Sequence, residues 1–206
     1  MTRQLPALLR NAALVALAAV TLSGCAALLL GGAVGTALMV TDRRTAGVQL
    51  EDQSIELKAA TRIRDAVGER GHISVVSYNR MVLLTGEVAS EADRAAIEQT
   101  VARIENVRST VNELAVMGSS SLTARSNDTI LTSKVKASFL DAKDLQANTI
   151  KVVTERATVY LMGRVTEREA VRAAELARGV SGVQKVVRVF DILTDAELAA
   201  LGGTKS

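Results

Sequence analysis

The sequence repeats itself at a spacing of 77 residues. Ile73-Ser74-Val75-Val76-Ser77, followed by Val82-Leu83-Leu84-Thr85-Gly86-Glu87-Val88, returns as Ile150-Lys151-Val152-Val153-Thr154, followed by Val159-Tyr160-Leu161-Met162-Gly163-Arg164-Val165. Farther on, Ile104-Glu105-Asn106-Val107 matches Val180-Ser181-Gly182-Val183 at a spacing of 76, so one residue is gained or lost in between. Two copies are too few for a solenoid. They read as two tandem copies of one small domain, each of roughly 65 residues and near the lower limit for a stable core.

Each copy carries the same pattern of elements. A helix opens it, about 52–68 and then about 128–140, with Asp128 as a plausible N-cap before Thr129. Two β-rich runs follow, separated by the polar turns Tyr78-Asn79-Arg80 and Glu155-Arg156-Ala157. Alternation of Val82, Leu84, Gly86, Val88 and of Val159, Leu161, Gly163, Val165 fits strands with one buried face. A second helix spans about 90–104 and 167–179. Ser90 caps the first, and Thr166 with Glu169 forms a capping box for the second. A third strand closes each copy, about 107–116 and 183–192. The predicted class is α+β: two tandem α-β-β-α-β sandwiches, each a three-stranded mixed sheet with two helices on one face. Gly118-Ser119-Ser120-Ser121 has linker composition. The predicted division is 1–24, 25–50, 51–117 for the first domain, 118–127 for a linker, 128–193 for the second domain, and a tail of 194–206.

The only cysteine, Cys25, ends Leu22-Ser23-Gly24-Cys25, after a basic start (Arg3, Arg10) and an uncharged run from Asn11. A positive start, an apolar middle and small residues before a cut describe a secretory signal, here residues 1–24. Leu-Ser-Gly-Cys resembles the bacterial lipobox, in which the thiol is alkylated by a diacylglyceryl group and the cysteine becomes the acylated N-terminus. The competing reading is an uncleaved membrane anchor, since the uncharged run continues through Val40. Gly31, Gly32 and Gly35 and the lack of bulky anchors weigh against it. Ala26 follows the cysteine where aspartate would resemble an inner-membrane retention signal, so the outer membrane is the expected location. With a single cysteine, no internal disulfide forms.

Nothing in the residues assembles an active site. His72 is the one histidine and reads as an exposed turn residue. Clusters of His or Cys and acidic calcium loops are lacking, so no catalytic residue, metal or cofactor is expected. Glu167, Glu169 and Glu175 share a helix with Arg168, Arg172 and Arg178 and read as a solvated, ion-paired face. Gly86 and Gly163 sit in no phosphate-binding motif and read as sites of bending or close backbone approach.

The two copies differ in charge. Residues 51–117 hold 8 basic and 11 acidic side chains, residues 129–193 hold 11 basic and 7 acidic. Net charge of this kind speaks to partners rather than to fold. On a helical wheel, Leu131, Val135 and Phe139 form the core stripe of the second copy's first helix. Ile130, Ser133, Ala137 and Leu140 lie opposite, flanked by Lys134 and Lys136. The corresponding face of the first copy, Ser54, Leu57, Thr61 and Arg64, is more polar. An apolar strip edged with lysines suits an interfacial membrane contact. The competing reading packs this face on the first domain or on the loop 141–149.

The α-β-β-α-β unit, with Gly86 and Gly163 near strand ends and the closing Gly182-Val183, resembles the BON domain. The second copy carries the stronger match, in Asn127-Asp128-Thr129, Thr132, Lys134-Val135-Lys136 and Leu161-Met162-Gly163-Arg164-Val165-Thr166-Glu167-Arg168-Glu169-Ala170. Asn106-Val107 departs from the Gly-Val that the family favours. Two such domains behind a lipobox, with Asp42-Arg43-Arg44-Thr45 after the anchor, resemble the DolP-type outer-membrane lipoproteins. The resemblance implies a lipid-anchored protein on the periplasmic face of the outer membrane, lipidated on Cys25. It also implies binding of anionic phospholipid through the second domain, support of envelope integrity and a link to cell division. Nucleic acid is not an expected partner. Ile130 stands where a DolP-type helix can carry tryptophan, which prefers the membrane interface. The alternative reading is an interaction scaffold for outer-membrane assembly proteins, using the same helix.

Overall fold

The computed structural model describes residues 42–68 and 71–202; the signal segment, Cys25 and residues 26–41 lie outside them. The first copy is α1 (Ala46–Val67), β1 (Gly71–Tyr78), β2 (Met81–Val88), α2 (Glu91–Ala102), then β3 (Ser109–Asn112) and β4 (Ala115–Val116). The second copy is α3 (Leu122–Asp141), a 3-10 turn (Ala147–Thr149), β5 (Ile150–Glu155), β6 (Thr158–Val165), α4 (Glu167–Arg178) and β7 (Lys185–Ile192), followed by α5 (Asp195–Gly202). In each copy the first two strands form an antiparallel hairpin and the third runs parallel to the central strand. The third strand of the first copy is broken into β3 and β4, both paired with β2.

The helices cover one face of each sheet. Ile55, Ala59, Ile63 and Val67 of α1 and Ile97 and Val101 of α2 pack on Val82, Leu84 and Val88. Val135 and Phe139 of α3 and Ala170, Ala173, Ala174 and Ala177 of α4 pack on Val152, Val159, Leu161 and Val165. Ser90 caps α2, and Thr166 and Glu169 form the predicted capping box of α4.

Two expectations are corrected. The first helix of the second copy opens at Leu122, capped by Ser121, so Asp128 is not an N-cap. It lies inside α3, buried, with its carboxylate accepting the backbone N–H groups of Arg156 and Ala157 at 2.8 Å each. Asp52 does the same in the first copy for Asn79 and Arg80, at 2.8 and 2.7 Å. These turns hold left-handed non-glycine residues, φ 51° and 63° at Asn79 and Arg80, and 49° and 55° at Arg156 and Ala157. A two-residue hairpin loop of this hand matches the strand twist but strains an L-residue. The buried carboxylate compensates by binding both turn N–H groups in a charge-assisted way. Second, His72 is not in a turn. It lies in β1 opposite Glu87 and is half-buried. In the tail after β7, the short helix α5 runs through Gly202.

The glycines behave as expected of close approach. A Cβ at Gly86, whose φ is +110°, would sit 1.9 Å from the His72 carbonyl oxygen, and one at Gly163 would sit 2.5 Å from that of Thr149. Gly182 and Asn106 occupy equivalent left-handed positions, φ 100° and 66°. Asparagine tolerates that region, which explains how the first copy manages without the glycine.

The faces not covered by helices pack against each other. Tyr78, Met81 and Leu83 meet Tyr160, Met162 and Val189, with Val76, Val111, Val153 and Val187 around them. Polar contacts ring this seam. Asn79 Nδ2 and Arg108 both donate to Asp191 at 2.8 Å, the Tyr78 hydroxyl to the Thr149 carbonyl at 3.4 Å, and the Tyr160 hydroxyl to Glu113 at 3.4 Å. At one end the fully buried Glu87 faces Arg156 Nε at 3.7 Å and accepts the Ser120 N–H. Beside them Glu155 is also buried. Desolvation, reinforced by Glu87 and Asp128, pushes its carboxyl above the usual range; Arg156 and Arg125 offset part of this.

Two outcomes follow. Asp128→Ala leaves two turn N–H groups buried without their acceptor and costs about 2–4 kcal/mol in urea melts, whereas Ala157→Gly relieves the left-handed alanine and is stabilising. Glu155 binds its proton more tightly folded than unfolded, so its contribution to stability is full in acid and is lost as pH rises through its raised pKa. Glu155→Gln is therefore expected to be more stable than the parent at about pH 8, with the gap closing towards about pH 5 in parallel melts.

Candidate functional site

Helix α3 buries Leu131, Val135 and Phe139 and turns its other side to solvent. Ile130 is 53% exposed and Leu140 70%. Ser133, Lys134, Lys136 and Ala137 are exposed between them. The strip is thus solvent-facing along its length, and neither the first domain nor the loop 141–149 covers these two side chains. Lys134 and Lys136 make no ion pair among the described residues.

The hydroxyls along this side are turned inward electrically. Ser126 donates to the Leu122 carbonyl at 3.0 Å, Thr129 to Arg125 at 3.1 Å and Ser133 to Thr129 at 3.0 Å. Each hydroxyl proton is taken up by the helix itself, so the surface is less polar than its composition. Because α3 begins at Leu122, the strip is longer than the sequence reading allowed. Leu122 is 79% exposed and lies in line with Ser126 and Ile130 at intervals of one turn. Sequence reasoning missed it because the helix start was set at Asp128. The signal available was Ser121, a good N-cap one residue ahead. The equivalent side of α1 has the exposed Leu50 and Leu57 with Thr61 and Arg64, and a half-buried Ser54, and carries no lysine pair at the positions of Lys134 and Lys136.

The segment that would follow the anchor is fixed to both domains. Arg43 donates to both Glu169 oxygens at 2.7 and 2.8 Å, to the Arg164 carbonyl at 2.9 Å and to Gln146 at 3.2 Å. Burial opposes ionisation of Glu169, but the bonds from Arg43 and Thr166 outweigh it and hold the carboxyl below the usual range. Arg44 bridges Asp42 and Asp52 at 2.7 and 2.8 Å, with its guanidinium 3.9 Å from the Tyr78 ring centre. Burial and the nearby Asp42 push the Tyr78 phenol up to about 12. The chain therefore enters the described fold beside the connection that follows α3.

The ion-paired face expected on α4 is formed only in part: Arg172 reaches Glu175 at 3.7 Å, but Glu167 pairs with Arg188 of β7, Arg172 also pairs with Asp144, and the largely buried Glu169 is taken up by Arg43. Among the described residues no group of acidic, His or Cys side chains is arranged to hold a metal ion, and no helix is long and apolar enough to cross a membrane. Cys25 lies outside the described residues.

The BON domain family model matches residues 52–118 and 127–194. Over 188 residues the chain is 36% identical to outer membrane lipoprotein DolP of Haemophilus influenzae, covering 90% of this chain and 97% of that one. It is 33% identical over 152 residues to a 21 kDa hemolysin of Actinobacillus pleuropneumoniae, covering 73% and 78%. It is also 28% identical over 141 residues to osmotically-inducible protein Y of Escherichia coli, covering 66% and 70%. Two family matches at the two copies, with a relative this similar along almost its full length, place the chain in the BON-domain family as a DolP-type protein with tandem BON domains.

Proposed function

We propose that this protein is a non-enzymatic outer-membrane lipoprotein, anchored through Cys25 on the periplasmic face, whose second BON domain rests on anionic phospholipid and thereby supports envelope integrity. The observation that carries the reading is the exposed strip of α3, where Ile130 and Leu140 stand in solvent beside Lys134 and Lys136, which make no ion pair among the described residues. The relative named as an outer membrane lipoprotein supports the location.

The energetics fit a tethered contact. Each lysine near an anionic surface contributes about 1 kcal/mol. Partial insertion of Ile130 and Leu140 adds roughly 2–4 kcal/mol, and Leu122 extends the apolar area. Such binding is weak for a free protein. An acyl anchor on Cys25 turns it into an intramolecular step at high effective concentration. The internally bonded hydroxyls of Ser126, Thr129 and Ser133 lower the desolvation cost of laying this side on the headgroups.

Liposome flotation of residues 42–206 tests the contact without the anchor. Recovery with anionic vesicles is expected to exceed that with neutral ones. Lys134→Glu with Lys136→Glu removes about 2 kcal/mol or more, roughly thirtyfold in affinity. Leu122→Asp is expected to weaken binding as well, while Leu57→Asp in the first domain leaves it unchanged. Equal flotation on neutral vesicles, or full binding by the double lysine variant, contradicts the reading.

A further inference from the structure

A second surface lies in the first domain. Between α1 and the edge strand β1 runs a cavity of about 820 Å³ lined by Leu57, Ala60, Ile63 and Arg64 on the helix and Ile73 and Val75 on the strand. Its strand wall carries unused backbone groups. Ser77 N donates to Glu56 Oε1 at 2.8 Å, away from β2, although Ser77 is in register with Val82. In an antiparallel pair, alternate residues point their N–H and C=O to the same side. Gly71, Ile73 and Val75 therefore also present their backbone groups to the free edge. Glu56 closes this edge at Ser77 only.

Edges left open in folded proteins are usually guarded by charge or proline. The other outer strand, β5, has Lys151 and Glu155 within it. Strand β1, Gly71-His72-Ile73-Ser74-Val75-Val76-Ser77-Tyr78, has neither a charged residue nor a proline. The second copy also bridges its helix to its strand, through Thr132 and Thr154 hydroxyls 2.7 Å apart. Beyond that bridge, its connection from helix to strand runs from 142 to 149 and packs Ala142, Leu145 and Ala147 on the core. In the first copy the connection is only three residues long, 68–70, and none of the described residues packs across the cavity as Ala142, Leu145 and Ala147 do in the second copy.

We propose that the free edge of β1 is a docking site for an extended segment of a partner protein, which adds to the first domain's sheet as a further strand. Backbone donors and acceptors along one wall select a peptide over an acyl chain. Ala60 and Ile63 form an apolar floor that takes alternate aliphatic side chains of the added strand. Of the described charges lining the cavity, Glu56 is already bound to Ser77 N and Lys151, which leaves Arg64 for the partner. The segment that fits is extended, aliphatic at alternate positions, and acidic where it passes the C-terminal turn of α1. The proposal does not depend on lipid contact by α3, although His72 and Ile73 also line a smaller gap with Arg125 and Thr129 of that helix.

The test uses the full chain in detergent micelles and three blocked octapeptides with alternating valine and leucine, carrying two aspartates, no charge or two lysines. Amide exchange is read by NMR. The acidic peptide is expected to protect the Ile73 and Val75 amides and to leave that of Val152, on the second copy's outer strand, unchanged. Val75→Pro deletes one docking N–H without touching the β1–β2 ladder and is expected to weaken binding about tenfold or more. Arg64→Glu, at an exposed position, is expected to reverse the preference towards the lysine peptide. No protection by any of the three peptides, or undiminished binding by Val75→Pro, overturns the proposal. Protection of the same amides by anionic vesicles alone, or by raising the protein concentration alone, assigns the edge to lipid or to a second copy and overturns it too.

Discussion

A three-stranded sheet with helices on one side has a second, apolar side that water must not reach. In this protein each sheet covers the other's. Tyr78, Met81 and Leu83 on one side and Tyr160, Met162 and Val189 on the other make a seam that neither copy builds alone. With few large side chains in either copy, about 65 residues bury little surface, and a shared seam supplies what each core lacks. It also sets the direction of everything else. The helices of both copies are driven outward, so α3 has an outer side to offer and β1 has an edge beside α1.

Much of the fold was legible because the chain says it twice. The strands, the hairpins, the second helices and their Ser90 and Thr166 caps all follow from periodicity and capping chemistry. The seam was not read, though β2 held a sign of it. Met81 to Val88 is buried at every position, on both faces. A nearly continuous apolar run is the pattern of a strand covered on both sides, and the alternation rule hides it. Asp128 was misread for a related reason. An aspartate ahead of a helical pattern has the local signature of a cap, and its true partners, the N–H groups of Arg156 and Ala157, are distant in sequence. The same misplacement concealed Leu122 at the start of the exposed strip. The strip itself was legible from the wheel, since exposure on a helix follows from spacing once the core stripe is known.

The duplication shows what each copy was free to change. Both keep the buried aspartate, the left-handed turn and the close approach at Gly86 or Gly163, because the hairpin and sheet require them. Both bridge their first helix to the outer strand, with different side chains. Their surfaces differ: net −3 against net +4, and a cavity beside α1 against a packed connection after α3. Charge and surface shape are free to diverge on an unchanged frame because the fold does not require them. Arg43 and Arg44, seated on Glu169 and Asp52, tie the start of the described chain to both copies at once.

If the seam governs the structure, the two copies cannot unfold separately. The direct measurement is equilibrium urea unfolding of residues 42–206 followed residue by residue through amide signals in β2 and β6. The account predicts one shared midpoint for both strands, shifted equally in both by Met162→Ala. Two midpoints, or a Met162→Ala effect confined to the second domain, would contradict it.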